Sequence, residues 1–301
     1  MAKTAFSNIP NNNVGPPEAA WKRIIPPFDN GKSRIPSFGH VAKIVPVQDI
    51  RQATITWPIV YKDEDDRNNA LLTKQAQYIS HVVGHEGPGS LLSYLKQQGW
   101  GNSLESSGEE NLSDFETFEV TVGLTKAGLN NIDKVVEAVF SCIGMLRDKT
   151  IPDYIFNEVL QLEELQWRYS SKGGVGGYVQ SLATTLREYP PSLCVAGPRR
   201  LALCTEDSTL LASSKPRTKF DSKGQLTFTK GLSTDLVDNL TVDNAMFTIL
   251  SKSFKGQTNQ KEEWYGTDFR VDQIPEETLQ KWRSTMQSSQ LGITFPRKNL
   301  V

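Results

Sequence analysis

His81 and His85 stand four residues apart in the stretch QYISHVVGHEGPGSLL (residues 77–92), with Glu86 directly after the second, and they are two of the three histidines in the chain. Four residues make about one helical turn, so on a helix both imidazoles would point the same way, as when one helix offers zinc two ligands. A catalytic zinc needs more: a third protein ligand, an open position for water, and usually a carboxylate to take the water's proton. In the compact order H-x-x-E-H that carboxylate lies between the histidines. Here the same letters read His81-Val-Val-Gly84-His85, and Gly84 has no side chain to act as a base. Glu86 adjoins His85 and on a helix would project about 100 degrees away from it. A third ligand could come from Glu158, Glu163 or Glu164 on a later helix. The residues leave two readings open: a zinc site without its base, or two partly buried histidines near a helix end, hydrogen-bonded to backbone or carboxylates.

The chain that must position these side chains has 301 residues, 38% of them hydrophobic and 22% charged, enough for a sizeable core in one large domain or two small ones. Its 33 Lys plus Arg against 34 Asp plus Glu give a formal net charge of -1. That balance argues against nucleic acid and against an anionic membrane surface as partners. Cys142, Cys194 and Cys204 are odd in number and lack CxxC spacing, which points to a reducing, cytoplasmic setting rather than a disulfide framework or a thiolate zinc site. No apolar run reaches transmembrane length, and MAKTAFSNIPNNNVGPP has no apolar signal-peptide core.

Residues 1–42 are proline-rich and without sustained periodicity, as expected of a linker or arm. ATITWPIV (53–60) and FETFEVTVGL (115–124) alternate as half-buried strands, and MFTILSK (246–252) reads as a third. DEDDRNN (63–69) is expected to be a polar loop. It leads into a helix, ALLTKQAQYISHVV, with Leu72, Ala76, Ile79 and Val83 on one face. SLLSYLKQQGW predicts a short helix with Ser90 as N-cap and Gly99 as a left-handed terminator. Thr125 is placed to cap a long core-facing helix through Leu146, Pro152 to open the next, and Pro275 to open a last one. GGVGG (173–177) reads as a flexible break, since no Lys-Ser/Thr follows to make it a phosphate cradle. The stretch 189–230 has weak periodicity. Strands and helices mix without strict βαβ alternation, so the expected class is α+β, an antiparallel-rich sheet with helices packed on one face. DEDD lacks the glycine and terminal glutamate of a calcium loop. His40 falls in the expected linker. Trp264 and Tyr265 in EEWYGTDF could be contact residues lining a chamber, but an aromatic pair beside Gly266 more often reads as local packing.

VGHEGPGSLLSYLKQQGWGNSL, FEVTVGLTKAGLNNIDKVVEAVF, SKSFKGQTNQKEEWYGTDF and IPEETLQKW resemble the noncatalytic second domain of the insulysin-like members of the pitrilysin family of zinc metallopeptidases, the inverzincins. HEGPGSL, GW and EEWYGT stand in the family's order. The resemblance covers roughly residues 43–301, with 189–240 poorly matched, so the expected organisation is an arm over 1–42 and one peptidase-type domain over 43–301. Such domains repeat around a chamber, and only the first carries H-x-x-E-H. The resemblance implies that His81, His85 and Glu163, which lies 78 residues beyond His85, are a degenerate copy of that site. This chain would then hold no cofactor and would not hydrolyse peptides alone. Zinc would belong to the parent enzyme's first domain, and the partners would be peptide substrates and the parent's other domains.

The resemblance also implies an exosite for the amino-terminal end of a peptide substrate. It falls on His81, Gly84 and Glu86 at the helix and on Leu104, Glu105, Ser106 and Ser107 at a strand edge. An extended peptide can add to such an edge through main-chain hydrogen bonds. The family's strand is glycine-rich and apolar where this sequence has Glu105-Ser106-Ser107, which recharges the edge. The alternative for these residues is a plain surface hairpin, and for the chain a structural or interaction module that binds no peptide by itself.

Overall fold

Apolar alternation builds the centre of the sheet. In strand β2 (Arg51–Val60), Ala53, Ile55, Trp57 and Ile59 are buried on one face, and in β4 (Phe115–Leu124) so are Phe118, Val120, Val122 and Leu124. The two strands pair antiparallel with Trp57 opposite Phe118, which brings both apolar sets to the same side. The other side of the pair carries hydroxyls: the Thr54 and Thr121 oxygens are 3.0 Å apart, and the Thr56 hydroxyl donates to Glu119 at 2.8 Å.

The computed structural model describes residues 38–109, 115–149, 151–171, 173–189, 191, 193–195, 197–199, 219–220, 226–227, 234–288 and 291–298. Residues 1–37 of the expected linker, Cys204 and most of the weakly patterned segment after residue 189 lie outside the described residues. The remaining strands are β1 (His40–Ile44), β3 (Gly101–Glu109), the two-residue β5 (Lys219–Phe220) and β6 (Leu226–Thr227), β7 (Met246–Ser251), β8 (Gln260–Lys261) and β9 (Asp268–Gln273). Seven of the nine described strands form one sheet in the order β3-β4-β2-β7-β1-β9-β8, and β5 pairs with β6 separately. Only β1 and β7 run parallel within that sheet; its other pairs are antiparallel. β3 is an edge strand, and among the described residues it pairs with β4 alone.

The helices are α1 (Glu64–Thr73), α2 (Gln75–Val83), α3 (Leu91–Gln97), α4 (Lys126–Asn130), α5 (Ile132–Asp148), α6 (Asp153–Arg168), α7 (Val175–Glu188), α8 (Thr234–Asn239) and α9 (Glu276–Ser288). Phe140 of α5 lies over Trp57 and beside Phe247 of the sheet, with ring centroids 6.0 and 6.3 Å away, and Trp282 of α9 stacks on Phe140 at 6.2 Å. The α5–α9 approach depends on a missing side chain, because a Cβ at Gly144 would fall 2.0 Å from the Met286 carbonyl oxygen. The fold is thus the expected α+β class, a mostly antiparallel sheet with its apolar face under helices.

Several local expectations are corrected. DEDDRNN is not a loop: Asp63 caps α1, its side chain accepting from the Asp66 N–H at 2.8 Å, so the acidic run is the start of a helix. The helix expected over 70–83 is two helices, divided at Lys74, which adopts the left-handed conformation (φ 47°, ψ 47°) while almost fully buried. Its ammonium donates to the Gly197 carbonyl, and such a non-local anchor can hold a residue where its own preference would not. Thr125 does cap, but it caps the short α4, and the chain breaks at Asn131 before α5 begins. GGVGG is only partly a break, since Gly176 and Gly177 already belong to α7.

Candidate functional site: the end of α2 beside the β3 edge

α2 presents its apolar face through Ala76, Ile79, Val82 and Val83 to the sheet and ends at Val83. Gly84 closes it, its N–H bonding to the Ser80 carbonyl at 2.8 Å. His85 and Glu86 therefore lie beyond the helix, in the turn that leads to α3. The expectation that both histidines sit on one helix is corrected, because α2 ends two residues before His85. His85 instead folds back on its own turn: its Nδ1 accepts the Gly87 N–H at 2.9 Å, and a Cβ at Gly87 would fall 2.3 Å from the ring's Cε1. His81 is exposed on the last turn of α2. Partial shielding of its ring from water, then the nearby His85, lower its basicity below the ordinary histidine value, with Glu158 pulling the other way.

Glu163 is buried on α6, and its carboxylate accepts from Gln77 Nε2 at 2.9 Å. Gln77 lies one turn before His81 on α2, so this bond ties α6 to α2 at the level where a third ligand would be needed. Among the described residues, no three His, Cys, Asp or Glu side chains converge as a metal shell would. Zinc does not fit this donor set: one histidine nitrogen is engaged by backbone, the carboxylate is held by an amide, and the base position is glycine. We expect calorimetric titration of zinc into the chain at neutral pH to give no dissociation constant tighter than micromolar. A nanomolar constant that His81→Ala abolishes would contradict this.

The two segments expected to form an exosite come together. Leu104 of β3 is buried, Ser106 is half-buried with its hydroxyl shielded from water, and Glu105 and Ser107 are exposed. α2 lies across the strand so closely that a Cβ at Gly84 would sit 3.7 Å from Ser106 Cβ, and one at Gly108 would collide with Ala76 Cβ at 2.3 Å. Gly84 thus borders the middle of a sheet edge, whereas His81 stands on the Gln77 face of α2, within electrostatic reach of Glu158 on α6, and Glu86 is exposed in the turn that follows.

At the far edge, sequence reasoning misjudged one feature. Trp264 and Tyr265 are 85% and 91% exposed, not packed locally. They ride on a turn held by the Glu262 carboxylate, which accepts both of their backbone N–H groups at 2.8 and 2.6 Å. Those two hydrogen bonds hold the Glu262 carboxyl below the usual carboxylate range.

The sheet with its helix layer defines a domain of the α+β class. Residues 1–162 match the family described as "Peptidase M16 inactive domain", and residues 167–300 match "Middle or third domain of peptidase_M16". The chain belongs to the M16 peptidase family. It is 30% identical over 279 residues to insulin-degrading enzyme of Homo sapiens, a match covering 93% of this chain and 24% of that protein. It is 28% identical over 284 residues to nardilysin of Rattus norvegicus, covering 93% and 21%. The chain therefore spans about a quarter of the length of these relatives. The crystal structure of pitrilysin superposes with a TM-score of 0.68 at 20% identity, over 87% of this chain and 25% of that one, a likeness in fold. No helix among the described residues is long and apolar enough to cross a membrane.

Proposed function

We propose that this chain is the noncatalytic part of a larger, cytoplasmic, insulysin-like zinc metalloendopeptidase whose zinc is held by its first domain. Its part is to wall the catalytic chamber and to anchor the amino-terminal end of a peptide substrate at the α2–β3 junction. The observation that carries this reading is the edge position of β3 with the end of α2 seated directly on it. An edge strand offers a row of unused N–H and C=O groups to an extended peptide, and a carboxylate such as Glu86 can receive a charged amino terminus. The chain alone does not hydrolyse peptides, since Gly84 cannot deprotonate a water.

Titrating the isotopically labelled chain with an unstructured peptide tests the reading. Shifts should cluster on residues 81–86 and 104–107, with weak affinity, because one strand edge buries little area. Glu86→Gln should weaken binding of a free amino terminus severalfold and leave an acetylated peptide unchanged. Ser106→Pro removes a main-chain donor from β3 and restricts Glu105, so it should weaken both. Shifts confined to another face would rule the junction out.

A second reading, an interaction module without peptide binding of its own, is favoured by one feature. Leu162, Leu165 and Tyr169 on and just after α6, with Val175, Tyr178 and Val179 on α7, are exposed apolar side chains at helical spacing. Faces of that kind are usually covered by a partner, here the parent's other domains.

A further inference from the structure

β3 sends alternate residues to opposite faces of the sheet. Leu104, Ser106 and Gly108 face α2 and the core, whereas Glu105 and Ser107 face the open side. The register sets Glu105 opposite Thr121 and Ser107 opposite Glu119, so the two carboxylates are diagonal neighbours on that open face. Glu119 is occupied by the Thr56 hydroxyl at 2.8 Å. Glu105 is exposed and makes no ion pair or hydrogen bond among the described residues. Neither β3 nor β4 contains a lysine or arginine, and the single arginine of β2, Arg51, lies beside Asp49 at 3.6 Å. Among the described residues of β2, β3 and β4, the outermost strand of the open face therefore carries negative charge without a cation paired to Glu105.

A peptide that extends the sheet at β3 would lay every second side chain on this open face, directly across from Glu105 at the spacing of cross-strand neighbours, about 5 Å. We infer that Glu105 is a specificity residue, selecting extended peptides that bring a lysine or arginine to the open face and rejecting those that bring a carboxylate there. The inference rests on the reading that β3 receives the substrate. It adds the class of peptide received, one with basic residues at alternate positions. A peptide can slip by one residue to choose its face, so the alternation matters more than the absolute position.

The test uses the labelled 301-residue chain and three unstructured ten-residue peptides that carry lysine, glutamine or glutamate at the same three alternate positions. Shifts should fall on β3 in every series, with lysine binding roughly threefold tighter than glutamine, the scale of an exposed ion pair, and glutamate weaker still. The preference should shrink at about 1 M salt, where the screening length is about 3 Å. Glu105→Gln should erase the lysine preference while leaving the glutamine peptide's affinity unchanged. Equal affinities with shifts on β3, or a preference that survives Glu105→Gln, would overturn the inference and leave the strand-edge reading standing; the carboxylate would then only guard a free edge against self-association. Shifts absent from β3 with all three peptides would overturn the strand-edge reading itself.

Discussion

Trp57→Ala should cost the chain about 3–5 kcal/mol of folding stability, the range for truncating a large buried aromatic, and lower the melting midpoint by roughly 10 °C. Trp57 has no exposed surface and packs its ring against Phe118 at 6.1 Å and Phe140 at 6.0 Å. Its indole N–H also donates to the Thr241 carbonyl at 2.9 Å, linking β2 to the chain just before β7. The substitution therefore opens a cavity between the sheet and α5 and strips a shielded carbonyl of its donor. Trp57→Phe keeps most of the apolar volume and loses only the hydrogen bond and the outer ring, so it should cost clearly less. Urea unfolding of both variants checks the order. A loss below about 1 kcal/mol for Trp57→Ala would mean that Trp57 is not the centre of this core.

Gly108→Val should be the most damaging single change at the candidate site. Its Cβ would start 2.3 Å from Ala76 Cβ, a contact with a side chain that has no rotamer to escape into, so α2 must lift from β3. Overpacking of this kind costs about 1–3 kcal/mol, and the branched residue adds two methyl groups to the clash. Lifting α2 also draws Gly84 away from Ser106, and peptide-induced shifts on β3 should vanish with it. Hydrogen exchange at the β3 amides should speed up in the same variant. Ala76→Gly makes room on the helix, and the double variant should lose less stability than the two single losses added together, a coupling that a merely disordered mutant would not show. Additive losses would place the clash elsewhere. Gly84→Ala is the mild comparison, because its Cβ meets Ser106 Cβ at an ordinary 3.7 Å and only the Ser80 carbonyl is close, at 3.0 Å.

The signals legible in the sequence were those that repeat locally. Alternation over 53–60 and 115–124 identified β2 and β4 and told which side chains are buried, because a strand's two-residue period is set by its own backbone. Ser90 and Thr125 cap helices through hydrogen bonds to residues three positions on, and Gly99 takes the positive φ expected of it. The glycine at position 84 likewise removed the general base without any structure.

β1 was missed: its five residues are all only half-buried, and it is held by β7, some two hundred positions later, and by β9. α7 was missed as well, since its opening glycines hide an apolar spacing that nothing among the described residues buries deeply. The end of α2 could have been heard, because Gly84, Gly87 and Pro88 are helix-stopping residues, yet the histidine spacing outweighed them. What the amino-acid order determined by itself was the kind of each central element, the buried face of its strands, and the lack of a catalytic carboxylate between His81 and His85. Only the tertiary structure decided that His85 lies past the end of α2 and bonds to its own turn, that Gln77 reaches Glu163, and that β3 is an edge with Gly84 pressed against it. Periodicity and side-chain chemistry are properties of neighbours along the chain, whereas an edge, a convergence or a close approach depends on which distant segments pair, and no local pattern carries that information.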